Sequence, residues 1–173
     1  MATSRTALAA RRRAFLRTGT VLVAAAGVSG CGFHLATPLS YPFRSIALVG
    51  FAPESPLAAE LKRALAPQVQ IKAVPAEAEV VLQALVDRRE RSAAAMTAAG
   101  QVRELQLRLL TTVRADTPAG RALMAPVALR LVRELTTNET AALAKGAEEA
   151  EIYREMQADV VAQLLRRLSA LPL

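Results

Sequence analysis

Glu104-Leu105-Gln106-Leu107-Arg108-Leu109 is the stretch that decides the fold. Leucine takes every second position, a polar residue takes each one between, and Val113 continues the apolar set beyond Thr112. A period of two belongs to a β-strand, whose successive side chains point to opposite faces. The stretch is therefore read as a strand with one buried face and one that meets water or a polar partner.

Its neighbours carry matching signals. Thr117-Pro118-Ala119-Gly120 is a turn, after which Val127, Leu129 and Leu131 alternate with Ala128 and Arg130 and run out through Arg133 and Glu134. Upstream, Gly100-Gln101 reads as a hairpin turn, preceded by a featureless small-residue segment from Ala93 to Ala99. An earlier strand starts near Val80, with Val80, Leu82, Ala84 and Val86 expected on one face and Asp87-Arg88-Arg89-Glu90-Arg91 as an exposed polar extension. Together these segments predict an antiparallel meander with one wet face.

Two helices are expected to cover the other face. Tyr153, Met156, Val160, Leu164, Leu168 and Leu171 recur at spacings of three and four, predicting a long helix from about Gly146 to about Ala170. Glu148, Glu149 and Glu151 then crowd its start and Arg166 and Arg167 its end, an order that complements the helix dipole. A shorter helix follows the Ser55 cap and Pro56, with Leu57, Leu61 and Leu65 on one side and Pro67 as its stop. Arg44 to Gly50 reads as a strand, and Val69 to Val74 as a short β-prone piece. The expected fold class is α+β: an antiparallel or mixed four-stranded sheet with two helices on one face, in the order β-α-β-β-β-α, over residues 44–173.

The beginning of the chain has a different character. Residues 1–30 have the parts of a cleaved export signal: a basic segment ending near Arg17, an apolar core from Val21 to Val28, and small residues before Cys31. The apolar core is too short for a permanent membrane helix, which needs about 20 residues. Val28-Ser29-Gly30-Cys31 is the pattern read by the bacterial lipoprotein pathway, so Cys31, the only cysteine, is the expected lipidation site, carrying diacylglycerol and an N-acyl chain. Arg12-Arg13-Ala14-Phe15-Leu16 resembles a twin-arginine export motif, and both that route and the general secretory route stay open. Residues 31–43, broken by Pro38 and Pro42, read as a lipidated tether. Gly32 after the lipid site, where an Asp would favour the inner membrane, points to the periplasmic face of the outer membrane.

Charge and composition exclude several functions. Five of the 22 basic residues and none of the 15 acidic ones precede Cys31, so the remainder carries 17 against 15, a net +2 in place of +7. That balance argues against a nucleic-acid binder, which carries its basic excess on the folded domain. His34 is the only histidine and no paired carboxylates mark a cleft, so the chain is expected to be no enzyme, with no cofactor beyond the covalent lipid and no metal.

Cys31-Gly32-Phe33-His34-Leu35, Gly100-Gln101, and the block from Asn138 through Leu168, including Ala142-Leu143-Ala144-Lys145 and Leu164-Leu165-Arg166-Arg167-Leu168, resemble the LPS-assembly lipoprotein family, LptE. The resemblance implies an outer-membrane lipoprotein that plugs and helps assemble a large β-barrel, LptD, and assists delivery of lipopolysaccharide to the cell surface. It also implies lipopolysaccharide binding through basic residues near the hairpin and before the last helix. Lys145 falls on the second position, while Ala98 and Ala99 stand where the first would be basic. Arg103 with Arg88, Arg89 and Arg91 is expected to supply that charge if the strands pair and bring all four near the hairpin tip. A solvated charged rim against the barrel interior is the competing reading of this cluster. A periplasm-facing envelope lipoprotein with another outer-membrane partner is the alternative for the whole chain.

Overall fold

In the computed structural model, which describes residues 39–136 and 142–173, eight elements follow one another. They are β1 (Ser45–Val49), α1 (Pro56–Leu65), β2 (Gln70–Lys72), a 3-10 turn (Pro75–Glu77), β3 (Val80–Met96), β4 (Val102–Asp116), β5 (Ala122–Thr136) and α2 (Ala142–Ser169). The expected signal, Cys31 and the first part of the tether lie outside the described residues. At the end of that tether Phe43 is buried, and Tyr41 packs against the core with its ring 5.6 Å from that of Phe43.

The strands form one mixed sheet in the order β2-β1-β3-β4-β5. It has five strands where the sequence predicts four, giving the order β-α-β-β-β-β-α. The fifth is Gln70–Lys72, paired parallel to Ser45–Ala47. Three residues are too few to display alternation, and what holds them is the neighbouring strand: Gln70 N–H donates to Arg44 O at 2.9 Å. Parallel pairing requires a crossover between β1 and β2, and α1 supplies it.

Both helices lie on one face of the sheet. Leu57, Leu61 and Leu65 of α1 and Met156, Val160, Leu164 and Leu168 of α2 meet Leu82, Leu107, Leu109 and Val113 in a single apolar cluster. Leu107 and Val113 are fully buried, as the alternation of β4 requires. The α1 start is fixed by Ser55, whose Oγ accepts from Ala58 N–H at 3.1 Å.

The α2 helix starts four residues earlier than expected, because Ala142 to Lys145 are good helix formers and Gly146 in the second turn costs only about 1 kcal/mol against Ala. The glutamates from Glu148 onward therefore fall beyond the first turn and do not face its dipole, whereas Arg166 and Arg167 do occupy the last turn.

The largest departure is in β3. Ala84 pairs with Val113 and Val86 with Thr112, so Leu85 is an extra residue, a β-bulge that reverses the alternation after it. Val80, Leu82 and Ala84 point to the helices as expected, but Val86 points away. The polar segment is not a free extension either: β3 stays paired with β4 as far as Met96, including the expected featureless run. The hairpins at both ends of β4 close with the same turn. In Thr97-Ala98-Ala99-Gly100-Gln101 and Thr117-Pro118-Ala119-Gly120-Arg121 the glycine is left-handed, and the threonine Oγ1 accepts from the residue after it at 3.1 and 3.0 Å. At the free edge of the sheet, β5 carries its own extra residues between Val127 and Ala122, where Pro126 sits without an N–H to offer.

Candidate functional site

The bulge at Leu85 sorts the arginines of the meander onto two faces. On the helix side, Arg89 donates to Gln157 Oε1 at 2.6 Å and lies 5.0 Å from the Tyr153 ring centre. Arg91 pairs with Glu149 at 3.3 Å, and Arg133 with Asp159 at 3.7 Å. Gln157 is 5% exposed and also donates to Pro56 O at 2.9 Å and Glu60 Oε2 at 2.7 Å, so one amide joins β3, α1 and α2. Tyr153 donates its hydroxyl to Glu90 O at 2.7 Å. Burial raises the Tyr153 pKa above its ordinary value, and Glu149 adds in the same direction. A cleft of 240 Å³ opens here beside Pro56, Asp87 and Leu109, but its Arg89 and Gln157 are already bonded to each other.

On the opposite face no described helix covers the sheet. Arg88 pairs with Glu90 at 3.0 Å, and Arg108 reaches the other oxygen of the same carboxylate at 3.8 Å while donating through Nε to Gln106 at 2.7 Å. Arg130 is exposed and forms no ion pair among the described residues. The register sets these side chains in rows, since Leu110 lies between Arg88 and Arg130, and Arg108 between Glu90 and Val132. Two guanidinium groups thus share the Glu90 carboxylate, and the same face also carries Glu104, Glu134 and the Arg114–Asp116 pair beside Val86, Leu110, Thr112, Ala128 and Val132.

The expected site residues are placed as follows. Cys31 lies outside the described residues. Lys145 lies within α2 and not before it, its Nζ 2.7 Å from Glu148 Oε2. Arg103 is exposed at a register shift of β4 near the hairpin end. Arg88, Arg89 and Arg91 do not join it there. They stand at least six residues before Thr97, roughly 20 Å along the strand, and the bulge sends Arg88 to one face and Arg89 and Arg91 to the other. Arg108 and Arg130, which share the open face with Arg88, are absent from that expected set, although the alternation of β4 and β5 already turned both outward.

Among the described residues there is no group of three or more potential metal ligands, and no helix is long and apolar enough to cross a membrane. Fold and surface together define a contact-making α+β module: a sheet with one face closed by helices and the other open and arginine-bearing. The LptE family model, described as lipopolysaccharide-assembly, matches residues 43–168, and the chain belongs to that family. The family is one of lipopolysaccharide-transport lipoproteins of the cell envelope and is non-enzymatic.

Among solved structures, lipoprotein B from Nitrosomonas europaea is 27% identical with a TM-score of 0.67, covering 80% of this chain and 91% of its own. A minor lipoprotein from Acinetobacter baumannii is 24% identical (TM-score 0.59, 78% and 97% covered), and rare lipoprotein B from Shewanella oneidensis 21% (TM-score 0.59, 73% and 95% covered). These two share the fold. No curated protein sequence matches significantly.

Proposed function

We propose that this chain is an outer-membrane lipoprotein, anchored through Cys31 on the periplasmic face, that plugs and helps assemble an LptD-type β-barrel and assists delivery of lipopolysaccharide through it. The observation that carries this reading, beside the family match, is the surface. Among the described residues only Val74, Leu85, Met96 and Leu173 are large apolar side chains left exposed, while ion pairs run along α2 from Lys145–Glu148 through Arg154–Glu151 to Arg133–Asp159. Such a surface suits a polar, water-filled lumen and not hydrocarbon. The anchor holds the module at the membrane, and basic side chains meet the anionic cargo.

Purification of the tagged, lipidated protein from its native outer membrane in mild detergent tests the reading. A large β-barrel of the LptD type is expected to come down with it in constant ratio. Recovery of the lipoprotein without a barrel, or with a different outer-membrane partner, sinks the plug.

A further inference from the structure

We infer that the unpaired side of β5 pairs with the same strand of a second copy of this chain, antiparallel about Val132, so that two five-stranded sheets become one. Such a pair forms apart from any barrel and is independent of the proposed plug.

Length is the first reason. In β5 the pairing with β4 runs without a shift from Val127 to Thr136, and no described strand meets the other side. The remaining free sides of the sheet are short or interrupted. The β2 strand has only three residues. The β3 strand is paired with β1 as far as Gln83, and past that point its free side meets the bulge at Leu85, the loop whose Ala52 N–H donates to Asp87 Oδ2 at 3.3 Å, and register shifts between Ala93 and Met96. An antiparallel copy laid along residues 128–136 of β5 closes roughly eight to ten main-chain hydrogen bonds and stops short of Pro126, which has no N–H to give.

Charge picks both the partner and the register. Arg130 and Glu134 are exposed on the open face, and neither forms an ion pair among the described residues. Along one strand they stand roughly 13 Å apart, too far to pair with each other. With Val132 opposite Val132 of the second copy, Arg130 of each strand stands directly opposite Glu134 of the other, and two cross-strand ion pairs form at once. On the helix side the same register sets Leu129 opposite Leu135, and Leu131 opposite Arg133, whose guanidinium keeps Asp159. No neighbouring register does this. Centring on Leu131 puts Arg130 against Val132, and centring on Arg130, Arg133 or Glu134 sets like charges face to face.

Charges on an edge strand commonly deter pairing. Here an arginine and a glutamate placed two positions either side of one valine deter most strands and suit an antiparallel copy of themselves. A two-fold axis through that valine also closes the assembly, since each β5 has one free side and spends it on the other. The axis stands perpendicular to the sheet, so the helices of both copies lie on the same face and the open faces join on the other.

The test uses the lipidated full-length protein in detergent matched to the solvent density, so that sedimentation equilibrium reads the mass of the protein alone. Wild type is expected to exchange between one copy and two. Arg130→Glu, which sets like charges opposite each other, is expected to weaken the pair about tenfold, and Arg130→Glu/Glu134→Arg to restore it to within about threefold of wild type. Thiol linking reads the position. Val132→Cys, about 5 Å from its own copy, is expected to give a linked dimer under mild oxidation, whereas Ala128→Cys, roughly 27 Å from its copy, is not. A photo-crosslinking residue in place of Val132 is expected to capture a second copy in native membranes. Wild type that sediments as a single copy throughout overturns the pairing. So does a dimer indifferent to Arg130→Glu or linked as readily through Ala128→Cys, which places the contact elsewhere, or a ladder of larger assemblies, which breaks the two-fold. Capture of a barrel alone gives this side of β5 to that partner and overturns it too. Barrel recovery is scored separately, so the plug can fail while the pair stands.

Discussion

Thr111 sits under the helices with its hydroxyl 1% exposed as a residue and without a hydrogen-bond partner among the described atoms. A buried hydroxyl left unpaired carries its full desolvation cost, whereas valine keeps the branched shape and removes the polar atom. Thr111→Val is expected to raise stability by about 1 kcal/mol, read as a higher urea midpoint with unchanged slope. A lower midpoint shows that the hydroxyl is satisfied in solution. The arginines give the matching lesson for function. Arg88 and Arg89 are adjacent in sequence, yet one faces the open side and the other is stacked on Tyr153 and bonded to Gln157. Counting charges in a cluster cannot separate them; strand parity can.

Parity itself is set by elements. The bulge at Leu85 keeps Val80, Leu82 and Ala84 beneath the helices while bringing Arg89 and Arg91 to the same side further on. Deleting Leu85 removes the bulge while leaving Ala84 opposite Val113 and Val86 opposite Thr112, so Arg88 stays on the open side and Arg89 stays at Gln157. The deletion removes an exposed side chain and is expected to cost no more than about 1 kcal/mol; a far larger loss in thermal unfolding monitored by circular dichroism shows that the bulge itself holds the two halves of β3 in register. Most of the rest of the element plan is legible in the sequence. The alternation of β4 and β5, the Ser55 cap with Pro56, and the stripe of α2 each state a period or a stop signal that local chemistry enforces. The bulge is not legible, because Leu85 and Val86 are both apolar and nothing local says which is the extra one. Nor is β2, whose three residues are strand only because β1 is beside them. The candidate site is half legible for the same reason: its residue types are readable, and its convergence depends on register.

At the scale of the molecule, one of the ties between the helix layer and the sheet, the Tyr153 hydroxyl on Glu90 O, belongs to a phenol, which ionises only at high pH. Burial raises the Tyr41 and Tyr153 phenols above their ordinary value. Unfolded tyrosines release their protons near pH 10, while the folded ones hold theirs further up. Above that point the unfolded state binds fewer protons than the folded one, so stability, fully present below about pH 10, falls as pH rises. Thermal midpoints between about pH 8 and 11 are expected to be level and then decline, with a smaller decline in Tyr153→Phe; an identical curve in that variant removes Tyr153 as a cause.

The edge of the sheet has a consequence of another kind. A fifteen-residue strand with one side unpaired is a template on which further chains can stack, the first step toward a fibril. In β5 the shifts in register between Val127 and Ala122, and the missing donor at Pro126, bend the first third of that template and shorten its regular part to Val127–Thr136. In the proposed role beside an unfinished β-barrel, such a module works among loose strands in search of a neighbour. The Ala122–Val127 end of its own border is shaped so that they do not find one there.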